Sequence, residues 1–94
     1  MIRELDARHD KRKSFYGKAY IEEERGEKVL FSYHTKVAVK KAGKVTLGQS
    51  YDYSSTTLRH IKEFLNQETN FFISGVKDIR KLIKSGEIKL SSRF

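Results

Sequence analysis

The sequence predicts an α+β fold: an antiparallel β-meander of three to five strands with two α-helices packed on one face. Three observations carry that expectation. Apolar residues repeat with a period of two through the first half of the chain. They repeat with a helical period through the second half. The links between the strand-like runs are too short for parallel crossovers.

Residues 1 to 13 are dense in charge, with Ile2 and Leu5 the only sizeable apolar side chains after Met1, and read as a flexible charged arm. A single α+β domain is expected over residues 14 to 94. From Ser14 the alternation sets Phe15, Gly17, Ala19 and Ile21 on one side, with Tyr16, Lys18, Tyr20 and Glu22 on the other. The run EERGE (23–27) reads as a hairpin turn, because Gly26 accepts a positive φ without a Cβ clash. KVLFSY (28–33) returns as a second strand. After His34 and Thr35, KVAVKK (36–41) alternates again and places Val37 with Val39. Ala42-Gly43-Lys44 turns into VTLG (45–48).

In the second half Leu58, Ile61 and Leu65 fall at i, i+3 and i+7, and Phe64 widens the same face. Ser54 or Ser55 supplies the N-cap, its hydroxyl accepting a free N–H of the first turn. FFIS (71–74) leads to a second helix with Ser74 as cap and Gly86 as stop, and with Val76, Ile79, Leu82 and Ile83 buried. IKL (88–90) is a candidate last strand.

Ninety-four residues suit one domain, and the 37% hydrophobic and 34% charged content describes a modest core under a heavily solvated surface. The absence of cysteine excludes disulfides, thiolate metal sites and a cysteine nucleophile. No apolar run approaches the length of a membrane span, so no membrane partner is expected and the protein reads as cytoplasmic. The net charge of +8 favours nucleic acid, anionic lipid or an acidic protein surface, provided the charge is focused.

It is focused most clearly on the second helix. Lys77, Arg80, Lys81 and Lys84 fall within an arc of about 100° opposite the apolar stripe, with Asp78 the only acid on that helix. A solvated outer face is the bland alternative, but such faces usually mix signs. A stripe of this kind would meet backbone phosphates and carry little sequence information. Arg59 and Lys62 on the first helix extend the candidate set.

Tyr16 and Tyr20 flank Lys18, a weak signature of a stacking platform. Lysines near the sheet edges also guard against aggregation. Thr56, His60 and Glu63 share one side of the first helix, where an exposed polar face is expected. Acid–base catalysis needs a pocket with a nucleophile or metal, and the sequence shows neither, nor any Walker A or HExxH spacing. No catalytic residue, metal or cofactor is therefore assigned.

Ser32, Tyr33, Thr35 and Val37, followed by Tyr53, Ser54, Thr56, Thr57, Arg59, His60, Ile61, Phe64 and Leu65, form a pattern. A Ser-Tyr-x-Thr-x-Val strand precedes a Tyr-Ser-x-Thr-Thr-x-Arg-His-Ile helix. The pattern resembles a family of small uncharacterised proteins of phages and other mobile elements of Gram-positive bacteria. The resemblance implies an accessory role and makes Thr56 and His60, with Arg59, binding candidates. It brings no mechanism.

The expected function is a non-enzymatic accessory protein that engages DNA or RNA, or a nucleoprotein, through its basic helix face. The alternative is an inhibitor or adaptor acting on a host protein such as a nuclease or CRISPR effector. Tyr16, Tyr20, Phe71, Phe72 and Phe94 would then be the anchors.

Overall fold

A computed structural model of the chain describes residues 1–8, 17–49, 51–52, 54–92 and 94. It is α+β, with six strands rather than three to five: β1 (Ile2–Glu4), β2 (Ala19–Glu24), β3 (Glu27–Ser32), β4 (Thr35–Lys41), β5 (Lys44–Gly48) and β6 (Ile88–Ser91). Two helices, α1 (Ser55–Glu68) and α2 (Val76–Ser85), lie between β5 and β6. The sheet order follows the chain from β1 to β6.

β1 to β5 pair antiparallel, whereas β6 runs parallel to β5. Each antiparallel hairpin within β2 to β5 is closed by two residues. The β5–β6 connection runs through both helices, well beyond the crossover of about a dozen residues that a parallel return requires.

The strand that the sequence does not announce is β1. It lies inside the expected charged arm, yet it pairs with β2 and is followed by Leu5, which is 1% exposed in the core. Two apolar residues among many charges are enough, because pairing needs backbone groups and one side chain to bury. Residues 9 to 13 of that arm, with Phe15 and Tyr16, lie outside the described residues.

The hairpins turn on Arg25–Gly26, Tyr33–His34 and Ala42–Gly43, and both residues of every pair have positive φ. That is the signature of type I′ turns, whose twist matches the strands they join. The EERGE turn therefore shrinks to its central pair, with Glu23, Glu24 and Glu27 in the strands. The second turn sits one residue earlier than expected and contains no glycine.

Between β3 and β4 the register shifts, with Leu30 opposite Ala38 but Phe31 opposite Lys36. Val37 is thus an extra residue on β4. Val37 and Ala38 are both buried while Val39 is only half-buried, so Val37 and Val39 do not share a face. A bulge reverses the alternation, and period-two counting cannot pass through it.

One sheet face is the core face. Ile21, Leu30, Ala38 and Leu47 form a row across it, with Val45 beside Ile88. Both helices pack against the sheet and join this single cluster, α1 through Ile61, Phe64 and Leu65 and α2 through Ile79. Burying a ring such as Phe64 contributes about 3 kcal/mol.

At the C-terminal end of α1 three inward-facing cations converge on Glu68, two on its carboxylate and one on its backbone carbonyl. Glu68 accepts from Arg3 at 3.1 Å and from Lys28 at 2.5 Å, and Lys40 donates to the Glu68 carbonyl. Cations are favourable here because the helix presents its negative dipole end. Burial pushes the Glu68 carboxyl up, but the hydrogen bonds and charges of Lys28 and then Arg3 outweigh it and hold the carboxyl below its ordinary value.

A depressed carboxylate contributes stability that is present above its unfolded pKa and is lost as pH falls through the folded one. Thermal melts should therefore show a loss of stability on acidification below the ordinary glutamate range. Glu68→Gln should lower stability by about 1–2 kcal/mol near neutrality and flatten that acid slope. An unchanged slope would show that Glu68 does not anchor this end of α1.

Candidate nucleic-acid interface

The start of α2 is set by Ser74-Gly75-Val76-Lys77-Asp78. The N-cap is Gly75 and not Ser74, and it makes no side-chain cap hydrogen bond. Asp78 performs the capping in reverse: its Oδ2 accepts from the Ser74 N–H at 2.8 Å and the Ser74 hydroxyl at 2.7 Å. The backbone hydrogen bond from Ser74, then its hydroxyl, hold the Asp78 carboxyl below its usual value. Gly86 ends the helix at φ 88° and returns its N–H to the Ile83 carbonyl.

This arrangement turns the acid of α2 toward the chain entering the helix. Lys77, Arg80, Lys81 and Lys84 are all exposed. Among the described residues no carboxylate lies within 4 Å of Lys77, Lys81 or Lys84, although Asp78 feels the charge of Lys81. Arg80 is partly compensated by Asp52, at 3.6 Å.

Arg59 is exposed and Lys62 half-buried, and both border a groove of about 150 Å³ where α1 meets Ser74, Gly75 and Val76. The two helices thus bring Arg59 and Lys62 to the N-terminal end of α2. Sequence spacing alone could not place them there.

Thr56 and His60 fare differently. His60 and Glu63 are each 1% exposed and Thr56 is half-buried, so the expected exposed polar face of α1 is largely covered. His60 is covered by Ser32 and the Tyr33 ring, and the chain that follows β1 reaches the helix at Gln67. Gln67 shows the second contact, donating to the Asp6 carbonyl at 2.7 Å and to Glu63 at 2.9 Å.

His60 Nδ1 lies 2.8 Å from Ser32 Oγ on β3, and Ser32 lies 3.4 Å from Thr57 Oγ1. Ser54, the N-cap of α1, accepts from the Thr57 N–H and donates to the Thr57 hydroxyl at 3.0 Å. The Thr57 hydroxyl is thus engaged with two serines. A hydroxyl beside an imidazole is also the pairing of an activated nucleophile. Here Ser32 is 2% exposed and divided between two partners, and the pair links β3 to α1.

Above this link, Ser32, Tyr33, Thr35 and Val37 meet Ser54, Thr56 and Thr57 around an open groove of about 580 Å³. The two segments that carry the sequence resemblance are therefore neighbours in space. The adjoining turn is strained, because Tyr33 and His34 occupy the left-handed region at φ 51° and 69° without being glycine. Tyr33 is steadied by the Lys18 ammonium at 5.7 Å and by the His60 ring at 5.9 Å.

Of the aromatic candidates, Tyr20 is stacked on Phe31 at 5.1 Å, and Phe94 lies under the Lys36 ammonium at 4.8 Å. Phe71 packs on the core, whereas Phe72 is 96% exposed. Tyr16 lies outside the described residues. No group of three or more His, Asp or Glu suited to a metal ion occurs among the described residues. No helix among them is long and apolar enough to cross a membrane.

The chain belongs to a family of unknown function, DUF8033, whose model matches residues 3–83. No curated protein and no solved structure matches it.

The strained turn gives a direct test of its cost. Tyr33→Asn with His34→Gly supplies the residue pair that type I′ turns favour. It should raise stability by about 1 kcal/mol, read as an increase in Tm. A drop instead would mean that the ring contacts of Tyr33 outweigh the backbone strain.

Proposed function

We propose that this protein is a small non-enzymatic accessory protein of a phage or other mobile element, binding nucleic acid or a nucleoprotein through the outer face of α2. The observation that carries the reading is the segregation of charge on that helix. Lys77, Lys81 and Lys84 are exposed without a carboxylate partner among the described residues, while Asp78 is engaged by Ser74. Like charges at i, i+4 and i+7 repel, and a row of phosphates relieves that repulsion. Arg59 extends the surface at the N-terminal end of the helix; Arg80 contributes less because Asp52 shares its charge. The phage setting rests on the sequence resemblance.

A protein partner is the second reading, and Phe72 is what favours it. Asn66 holds the loop after α1 by two hydrogen bonds to the Ile73 backbone, both 2.9 Å, and this fixed loop presents Phe72 to solvent. A large aromatic on a rigid support is the usual form of an interface anchor.

Affinity for duplex and single-stranded DNA and RNA, measured against salt, separates the two readings. Four unencumbered cations (Lys77, Lys81, Lys84 and Arg59) give a log–log salt slope on duplex of about −4. Lys81→Glu with Lys84→Glu should weaken binding at least tenfold and reduce the slope by about 2. No binding at low salt, or affinity untouched by the reversal, would remove the nucleic-acid reading.

A further inference from the structure

We propose that the sheet face opposite the core is a self-association surface, on which two copies pack face to face about a twofold axis. The axis lies between β3 and β4 and runs parallel to the strands. The register fixes which side chains stand on that face. One row across it reads Glu24, Glu27, Lys41, Lys44 from β2 to β5. The next reads Ile2, Glu22, Val29, Val39, Thr46, and ends with Lys89 on β6. A third reads Glu4, Tyr20, Phe31, Lys36 from β1 to β4.

The face is therefore divided. Glutamates stand on β1 to β3 and lysines on β4 to β6, with half-buried Val29, Phe31 and Val39 between them. Arg25, at the tip of the β2–β3 turn, is an exception at the margin.

Two features of the first row are unfavourable in a single copy. Glu24 stands directly opposite Glu27, and Lys41 directly opposite Lys44. Like charges directly opposite across a ladder destabilise a sheet. Only the central Glu27–Lys41 pair is of opposite sign.

A twofold axis along the strands exchanges β3 with β4, β2 with β5 and β1 with β6. It sets Glu27 of one copy over Lys41 of the other, and Glu24 over Lys44. It sets Val29 over Val39, and Phe31 over Lys36, whose ammonium also lies against the Phe94 ring of its own copy at 4.8 Å. In the first row every charge thus meets its opposite, and the symmetry makes each such pair twice. A twofold axis perpendicular to the strands would set glutamate on glutamate, so the charges choose between the two arrangements. Aligned sheets pack about 30° apart, which the long charged side chains can span.

Area sets the strength. Six strands make a face about 25 Å wide and 17 Å tall, or about 450 Å² per copy in projection. With side-chain relief the two copies bury about 1,000 Å², where specific interfaces begin. An interface of that size suits a weak, reversible dimer. A single-stranded nucleic acid is the competing occupant of Tyr20 and Phe31, and the glutamates of β1 to β3 repel it.

Sedimentation equilibrium on the full chain, from low micromolar to about 200 micromolar, tests the proposal. The expected result is a reversible monomer–dimer equilibrium. Glu24→Lys with Glu27→Lys, and separately Lys41→Glu with Lys44→Glu, should each weaken it about 100-fold or more. An equimolar mixture of the two variants should dimerise again, which also shows that both are folded. A wild-type chain that stays monomeric overturns the proposal. So does a dimer indifferent to the reversals, a mixture that fails to recover, or reversals that change only nucleic-acid affinity. Because α2 is untouched by these variants, the outcome is independent of the salt titration of its basic face.

Discussion

A helix that is covered on more than one side has to find partners for its polar groups inside the protein, and α1 is such a helix. Its apolar residues Ile61, Phe64 and Leu65 meet the sheet, while His60 and Glu63, on another side, are just as deeply buried. An unpaired polar group at that depth costs about 1–3 kcal/mol. Among the described residues no buried side-chain nitrogen or oxygen lacks a hydrogen-bond partner. At one end of α1 the Ser54, Thr57, Ser32 and His60 side chains form a continuous chain of contacts. At the other, Arg3, Lys28 and Lys40 gather on Glu68. The sheet supplies Ser32 from β3 and the three cations from β1, β3 and β4, so strand register and helix placement are one constraint.

That constraint sorts the basic residues into two populations. Arg3, Lys28 and Lys40 face inward and close the C-terminal end of α1, where their charge is spent on a carboxylate and a helix dipole. Lys77, Lys81 and Lys84 ride on α2, whose contribution to the deep core is the single fully buried residue Ile79. The net charge of +8 therefore overstates what any ligand meets, and the direction each cation faces matters more than their number. Asp78 reinforces the division by directing its carboxylate at Ser74, away from the partners a phosphate would need.

Much of the fold was legible because local signals and tertiary demands agreed. Ser54 sits where a cap was needed, Gly86 where a left-handed residue was needed, and Ala19 and Ile21 point inward as their alternation requires. The failures have separate physical causes. β1 was hidden because an edge strand of three residues needs almost no hydrophobic pattern. Period-two counting groups Val39 with Val37 because it cannot see the extra residue on β4 that reverses the alternation. A helical wheel places His60 outside because it reports only what lies opposite the greasy stripe. It cannot report that a second element covers the polar side. The charged stripe on α2 was readable, whereas the proximity of Arg59 and Lys62 to its N-terminal end depends on how two helices meet.

The two faces of the sheet carry charge differently for the same physical reason. On the core face an unpaired ion is intolerable, and every inward cation described above has an oxygen partner. The other face is under no such demand, and solvent can screen Glu24 beside Glu27 or Lys41 beside Lys44. Screening makes those neighbours tolerable without making them favourable. Random placement of charges would mix the signs from strand to strand. Segregation into an acidic half and a basic half gives a single copy nothing but repulsion within each half. It becomes useful only when something of the opposite pattern is laid across it, and a second copy, turned about the strand direction, has that pattern by construction.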